Sequence, residues 1–260
     1  MTQAPVVISV EHAAKSYGDG RPALDHVSLA VREREFVAIV GPSGSGKTTL
    51  LRLVNRLTEP SGGVVRVHGE DVRAVDAIAL RRRIGYAFQG IGLFPHMTVA
   101  ENIGVTPKLL GWDAARIGRR VKELIELVRL DPALHGERFP HQLSGGERQR
   151  VGVARAIAAG PRIVLMDEPF GALDPLTRDA LGQDCRRLHD DLGLTTVMIT
   201  HDVLEALLLA DRIVVMNEGR IVADGTPQRL MAQDGDPYTR QLMQTPRRQA
   251  ERLQALLGAS

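Results

Sequence analysis

The sequence predicts an α/β fold centred on a parallel sheet, and three observations predict it. A compact apolar run, Phe36-Val37-Ala38-Ile39-Val40, has the length of a buried strand and ends where a cluster of glycines begins. Beyond the glycines, Leu50, Leu51, Leu53, Val54 and Leu57 recur at helical spacing, so strand, glycine-rich turn and helix follow in direct succession. Two further apolar runs, Ile163 to Met166 and Thr196 to Ile199, are buried-strand candidates with a helical segment between them.

The remaining elements follow from local chemistry. Val6 to Val10 and Leu24 to Val31 alternate as strands do, and the turn residues from Gly18 to Pro22 separate them. Gly62 to Val67 and Ile84 to Phe88 read as strands around an Ala/Leu/Arg helical segment. Val99 to Ile103, Ile117 to Val128 and Glu147 to Ala158 read as helices, with Pro132 and Pro140 punctuating the connection. Asp174 before Pro175 makes an N-cap and first turn for a helix reaching about His189. Asp202 starts another, with Glu205 at the capping-box position. Asn217-Glu218-Gly219-Arg220 is a hairpin turn between Ile213 to Met216 and Ile221 to Ala223. Thr226-Pro227 opens a short helix, Asp234 to Pro237 resembles a linker, and a helical tail follows.

The 260 residues suffice for one large domain or a domain with a subdomain. With 33 basic and 31 acidic residues, net charge +2, composition shows no broad nucleic-acid-binding surface. The single Cys185 excludes an intrachain disulfide framework and suits a reducing compartment. No apolar run approaches the roughly 20 residues that a membrane-spanning helix needs, and Met1 to Val10 lacks the character of a secretory signal.

Gly41-Pro42-Ser43-Gly44-Ser45-Gly46-Lys47-Thr48 fits the phosphate-binding loop pattern, which points successive backbone N–H groups and a helix N-terminus at phosphate oxygens. Lys47 can reach the β- and γ-phosphates and the Thr48 hydroxyl can reach Mg²⁺; Thr49 is counted with the loop as a nucleotide-binding candidate. A second component is Asp167-Glu168, which closes an apolar strand at the edge where open α/β sheets collect ligands. Asp167 is the candidate for holding magnesium and Glu168 for polarising the attacking water; the alternative is that both cap the turn at Pro169.

Taken with Leu143-Ser144-Gly145-Gly146-Glu147, these residues resemble the nucleotide-binding domain of ATP-binding cassette (ABC) transporters. The resemblance runs from about Val6 to Ala232. It implies a RecA-like P-loop NTPase core with an antiparallel β-subdomain and an inserted α-helical signature subdomain. The implied boundaries are 4–233 for the ATP-binding domain, about 90–160 for the helical subdomain and 234–260 for a short helical extension. Tyr17 matches the adenine-stacking aromatic, Gln89 the glutamine-loop residue that touches metal-bound water, Asp174 the dimer-contacting aspartate and His201 the switch histidine. Read alone, Tyr17 would be a loop anchor, Gln89 a solvated strand end and His201 structural. Ser144 and Glu147 alone would make a capping box, whereas Gly145 and Gly146 suit a backbone surface that approaches phosphate.

The resemblance implies ATP and Mg²⁺ as ligands, with Ser144 to Glu147 closing over the phosphate loop of a second copy or a related cassette. It further implies an integral membrane permease, a solute-binding protein and a peripheral position on the cytoplasmic face of the bacterial inner membrane. Gly90 to Ile103 is similar to the face that receives the permease. Pro107 to Trp112 and Phe139-Pro140-His141-Gln142 look like bacterial importers of quaternary-amine osmoprotectants such as glycine betaine, choline or carnitine. Importers of polar amino acids or other small organic solutes form the alternative, and soluble cassettes of DNA repair or translation a more distant one. The family commonly has glycine before Glu35, where this chain has Arg34, and a Ser-Thr ending where it has Thr48-Thr49.

Overall fold

The computed structural model describes residues 4–18, 20–88, 90, 92–171, 173–232 and 236–258. Its centre is a six-stranded sheet. Strands β3 (Phe36–Val40), β7 (Ile163–Asp167) and β8 (Thr195–Ile199) are buried at every residue, the pattern of strands covered on both faces. With β6 (Ile84–Ala87), β9 (Arg212–Asn217) and β10 (Arg220–Gly225) they run in the order β10-β9-β3-β8-β7-β6. All neighbours pair parallel except β9 and β10, an antiparallel hairpin turned through Glu218 and Gly219, both at positive φ.

A second, antiparallel sheet has the order β2-β1-β4-β5, with β1 Val6–Lys15, β2 Leu24–Arg32, β4 Gly62–Val67 and β5 Glu70–Asp71. Strand β1 continues past the alternation that ends at Val10. The register slips between Val10 and Ala13, and His12 takes a φ of 48°, so a bulge puts the pattern out of phase without ending the strand.

Strand β3 shows how the layers divide. Phe36, Ala38 and Val40 belong to a core shared with the helices, while Val37 and Ile39 belong to one shared with the antiparallel sheet and α1 (Lys47–Val54). Helix α2 (Ala77–Arg83) leads into β6. Between β6 and β7 stands a helical layer: α3 (Val99–Leu109), α4 (Ala114–Leu127), α5 (Pro132–His135), a 3₁₀ turn (Pro140–Gln142) and α6 (Gly145–Ile157). Each of the four α-helices starts on a side-chain cap, at Thr98, Asp113, Asp131 and Ser144, so the boundaries are set by backbone N–H groups that would otherwise lack partners.

Helix α7 (Pro175–Leu192) is capped by Asp174, and α8 (Val203–Leu209) by Asp202. The capping box expected at α8 is not completed. Glu205 turns its carboxylate to the Thr200 hydroxyl instead. Helix α9 (Pro227–Ala232) is followed by α10 (Pro237–Gly258), whose Tyr238, Leu242 and Met243 pack on the core. Among the described residues no helix is long and apolar enough to cross a membrane.

Candidate active site

Strands β3, β8 and β7 are consecutive neighbours in one parallel sheet, so the segments leaving their carboxyl ends converge. These segments carry the Gly41 to Thr48 loop, His201 and Asp167-Glu168 respectively. Residues separated by more than a hundred positions thereby meet on one edge: the Thr48 hydroxyl donates to Asp167 Oδ1 at 3.1 Å.

The loop owes its shape to three glycines. Gly41 (φ 154°) and Gly46 (φ 98°) lie where a Cβ would run into the backbone oxygens of Met216 and Ala23. Gly44 (φ 79°) has open space around it and needs glycine for its backbone alone. Ser43 is exposed, whereas Ser45 is buried. Lys47 is also buried, and its ammonium donates to the Gly41 and Pro42 carbonyls, each at 2.8 Å. Burial lowers its pKa, while the Glu168 and Asp167 carboxylates act in the opposite sense. A cation is therefore held against the loop with two acids facing it.

Asp167 is buried and its pKa is raised by that burial, against the opposing effects of Thr48, Arg52 and Tyr86. A hydroxyl and a poorly compensated carboxylate in contact form a hard-oxygen pair suited to a magnesium ion that takes its other ligands from phosphates and water. Among the described residues there is no cluster of three or more His, Cys, Asp or Glu side chains that could cage a metal without such help.

Glu168 stands at φ 47°, in the left-handed region, and its N–H donates to the Ile199 carbonyl at 3.0 Å. One carboxylate oxygen lies 3.4 Å from His201 Nδ1. Asp174 uses its carboxylate on the Thr177 N–H as the cap of α7. Tyr17 is 63% exposed on the bend after β1, with the Lys15 ammonium 5.0 Å from its ring centroid. Gln89 lies outside the described residues.

Ser144 and Glu147 form the expected capping box at the start of α6: the Glu147 N–H donates to Ser144 Oγ at 3.2 Å, and the Ser144 N–H to Glu147 Oε2 at 2.7 Å. The two glycines between them differ. A Cβ on Gly146 would lie 2.9 Å from Thr177 Cγ2, while one on Gly145 would meet nothing within 4 Å. This chain's own packing accounts for Gly146 and gives no reason for Gly145.

Three side chains make contacts that carry no local sequence signal. The Tyr86 hydroxyl reaches Asp167 Oδ2 at 3.5 Å from the adjacent strand β6. Arg178 on α7 donates to the Leu173 carbonyl at 3.0 Å and to Asp202 Oδ2 at 3.4 Å, tying the segment before Asp174 to the one after His201. His135 Nε2 lies 3.1 Å from Glu147 Oε1.

The parallel sheet, the glycine loop between β3 and α1 and the Thr48–Asp167 pair define a P-loop nucleoside-triphosphatase fold. Comparison with known proteins narrows the class. Residues 24–171 match the family model described as ABC transporter. The chain is 46% identical over 237 residues to a choline transport ATP-binding protein of Bacillus subtilis, covering 91% of this chain and 62% of that protein. It is 48% identical over 235 residues to a glycine betaine uptake ATP-binding protein of Escherichia coli, covering 90% and 76%. A solved dimer of the ATP-binding cassette MJ0796 bound to ADP and Pi has a TM-score of 0.78 at 33% identity, covering 85% of this chain and 98% of that one. The chain belongs to the ABC transporter family. It spans about three fifths of the length of the Bacillus relative.

Proposed function

We propose that this chain is the ATP-hydrolysing subunit of a membrane importer and that it works as a pair of copies. The observation that carries the proposal is the contact of Glu168 with His201 on the sheet edge that also holds Lys47, Thr48 and Asp167. Lys47 and the loop N–H groups bind the β- and γ-phosphates. Glu168 orients a water toward the γ-phosphorus and takes its proton as the bond to the bridging oxygen breaks, giving ADP and phosphate. His201 holds the γ-phosphate oxygen by hydrogen bonding. Thr48 and Asp167, with Gln89, would hold Mg²⁺, which would neutralise phosphate charge.

Tyr17 stacks on adenine, and Ser144 to Glu147 with Asp174 complete the site of the other copy. The open space around Gly145 favours that arrangement, since a side chain there would stand only in the way of an incoming molecule. The dimeric state of the related cassette supports it too. The cassette extends over residues 4–233, with its helical subdomain at about 90–160 and a helical extension at 234–260.

The cargo is a quaternary amine such as glycine betaine, choline or carnitine, by similarity to relatives named for those solutes. A second reading has its own observation: a sulfate/thiosulfate import ATP-binding protein of Ralstonia nicotianae is 46% identical over 235 residues. Equal identity across different solutes follows from the division of labour, because the cassette does not hold the solute. A permease and a solute-binding protein supply that selectivity, and the permease holds the chain on the cytoplasmic face of the inner membrane. No nucleic acid takes part.

Sedimentation and ATPase assays of the Glu168→Gln chain with its permease test the engine. Expected are lost hydrolysis and retained ATP-driven pairing; no ATP-stimulated pairing refutes it. Uptake of labelled glycine betaine against labelled sulfate by vesicles holding the assembled transporter decides the cargo.

A further inference from the structure

The contact of His135 with Glu147 gives the Ser144 to Gly146 segment a support that a capping box does not supply. Asp131 caps the short helix α5 by accepting the Ala133 N–H at 2.8 Å, and His135 closes that helix. The ring is wedged between two elements. Its Nδ1 lies 2.9 Å from the Asp131 carbonyl oxygen and 3.2 Å from the Asp131 amide nitrogen, while Nε2 lies 3.1 Å from Glu147 Oε1. The His135 side chain is 12% exposed and that of Glu147 29%.

The proton positions follow. An ionised Glu147 only accepts, so Nε2 carries a hydrogen. Nδ1 faces both an acceptor and a donor of Asp131, so the ring keeps its place whether Nδ1 is protonated or bare. Glu147 is held ionised: the Ser144 N–H lowers its pKa most, and the Ser144 hydroxyl and His135 add to this. Its two oxygens are thus divided, Oε2 to the helix cap and Oε1 to His135. A lone capping box leaves the second oxygen to solvent.

The support extends further. The Ala100 N–H donates to the Gly136 carbonyl at 2.9 Å and the Val99 N–H to the Arg138 carbonyl at 2.8 Å. Gly136 and Arg138, one and three residues beyond His135, are therefore bonded to the first turn of α3, while His135 itself is bonded to Glu147 at the start of α6.

We propose that His135 is a positioning residue for the Ser144 to Gly146 start of α6, holding it through Glu147 in the geometry that receives the nucleotide of a second copy. This rests on the pairing of copies proposed above.

The test uses the full chain carrying Glu168→Gln, with His135→Ala and His135→Gln added separately. Glutamine places an amide N–H at a reach close to that of Nε2. Pairing is followed by sedimentation at increasing ATP, nucleotide affinity by a fluorescent ATP analogue at protein concentrations too low for pairing, and folding by thermal melting. His135→Ala should weaken ATP-bound pairing about tenfold, the size of one hydrogen bond to a charged group at the weaker end of its range. Nucleotide affinity of the single copy should stay within about twofold, because the phosphate loop is untouched, and His135→Gln should recover most of the pairing. His135→Leu, which fills the volume and lacks the donor, gives the same contrast where the alanine chain does not fold. Pairing of the alanine or leucine chain equal to the parent's overturns the proposal. So does a glutamine chain as impaired as the alanine one, or nucleotide affinity that falls in step with pairing. A parent chain that ignores ATP removes the pairing itself, an outcome distinct from any difference among the His135 variants.

Discussion

Replacing Glu168 by glycine should stabilise the protein while abolishing its hydrolysis. Glu168 occupies the left-handed backbone region at φ 47°. That conformation costs a residue with a side chain ~1–2 kcal/mol, and glycine returns ~0.5–1 kcal/mol through the greater entropy of its unfolded chain. The midpoints of the two ranges leave about 0.75 kcal/mol of net stabilisation. The lost contact with His201, 3.4 Å away and with the imidazole more than half exposed, subtracts little. Glu168→Gln is the matched control, because it removes the charge and keeps the strained backbone. For a chain of this size, 1 kcal/mol moves the melting temperature by about 2–4 °C. Melting without nucleotide, followed by circular dichroism, should place the glycine chain ~1–4 °C above the glutamine chain, with both inactive in phosphate release. A glycine chain that melts at or below the glutamine chain refutes the argument that strain is stored at this residue.

Gly145→Ala should leave the melting temperature unchanged or slightly raised and lower ATP-driven pairing, since its Cβ meets nothing in its own chain. Gly146→Ala, with a Cβ 2.9 Å from Thr177 Cγ2, should instead destabilise the isolated chain by about 1 kcal/mol or more. Asp167→Asn should raise the melting temperature at neutral pH. Burial raises the Asp167 pKa above its unfolded value, so the penalty exists where the carboxylate is ionised and is relieved as pH falls through the native pKa. The advantage of the asparagine chain should therefore shrink in acid, and an advantage that grows in acid contradicts the assigned cause. Cys185 is buried and its thiol is pushed up to about 12. Iodoacetamide at pH 8 should alkylate it only as fast as the chain unfolds, and prompt labelling of the native protein contradicts that burial.

The sheet was legible because its strands are short, apolar throughout and bounded by glycine, proline or acidic residues, as at Phe36 to Val40 and Ile163 to Asp167. The helix starts at Ser144 and Asp174 were legible because each acts through a bond within three residues, a range that local pattern captures. The far half of β1 was hidden by its bulge. The capping box expected of Glu205 fails because Thr200, just beyond the end of β8, takes its carboxylate. Tyr86 beside Asp167, Arg178 between two loops and His135 against Glu147 depend on which elements become neighbours, and the spacing of a single sequence carries no record of that.

The positions that best mark the site are those where the fold alone supplies no reason for the residue present. Gly41, Gly46 and Gly146 are each explained by an atom of the same chain that a side chain would strike. Gly145 has no such atom, Glu168 sits in a backbone region that glycine would occupy at lower energy, and Asp167 keeps a carboxylate where burial opposes its charge. A sequence chosen for stability alone would remove all three, by Gly145→Ala, Glu168→Gly and Asp167→Asn. Each would become favourable on the additions proposed above: a second copy against Gly145, a water and phosphate before Glu168, a cation beside Asp167. The three departures from self-consistency thus call for separate additions, and one ATP with its metal, closed between two copies, would meet them all.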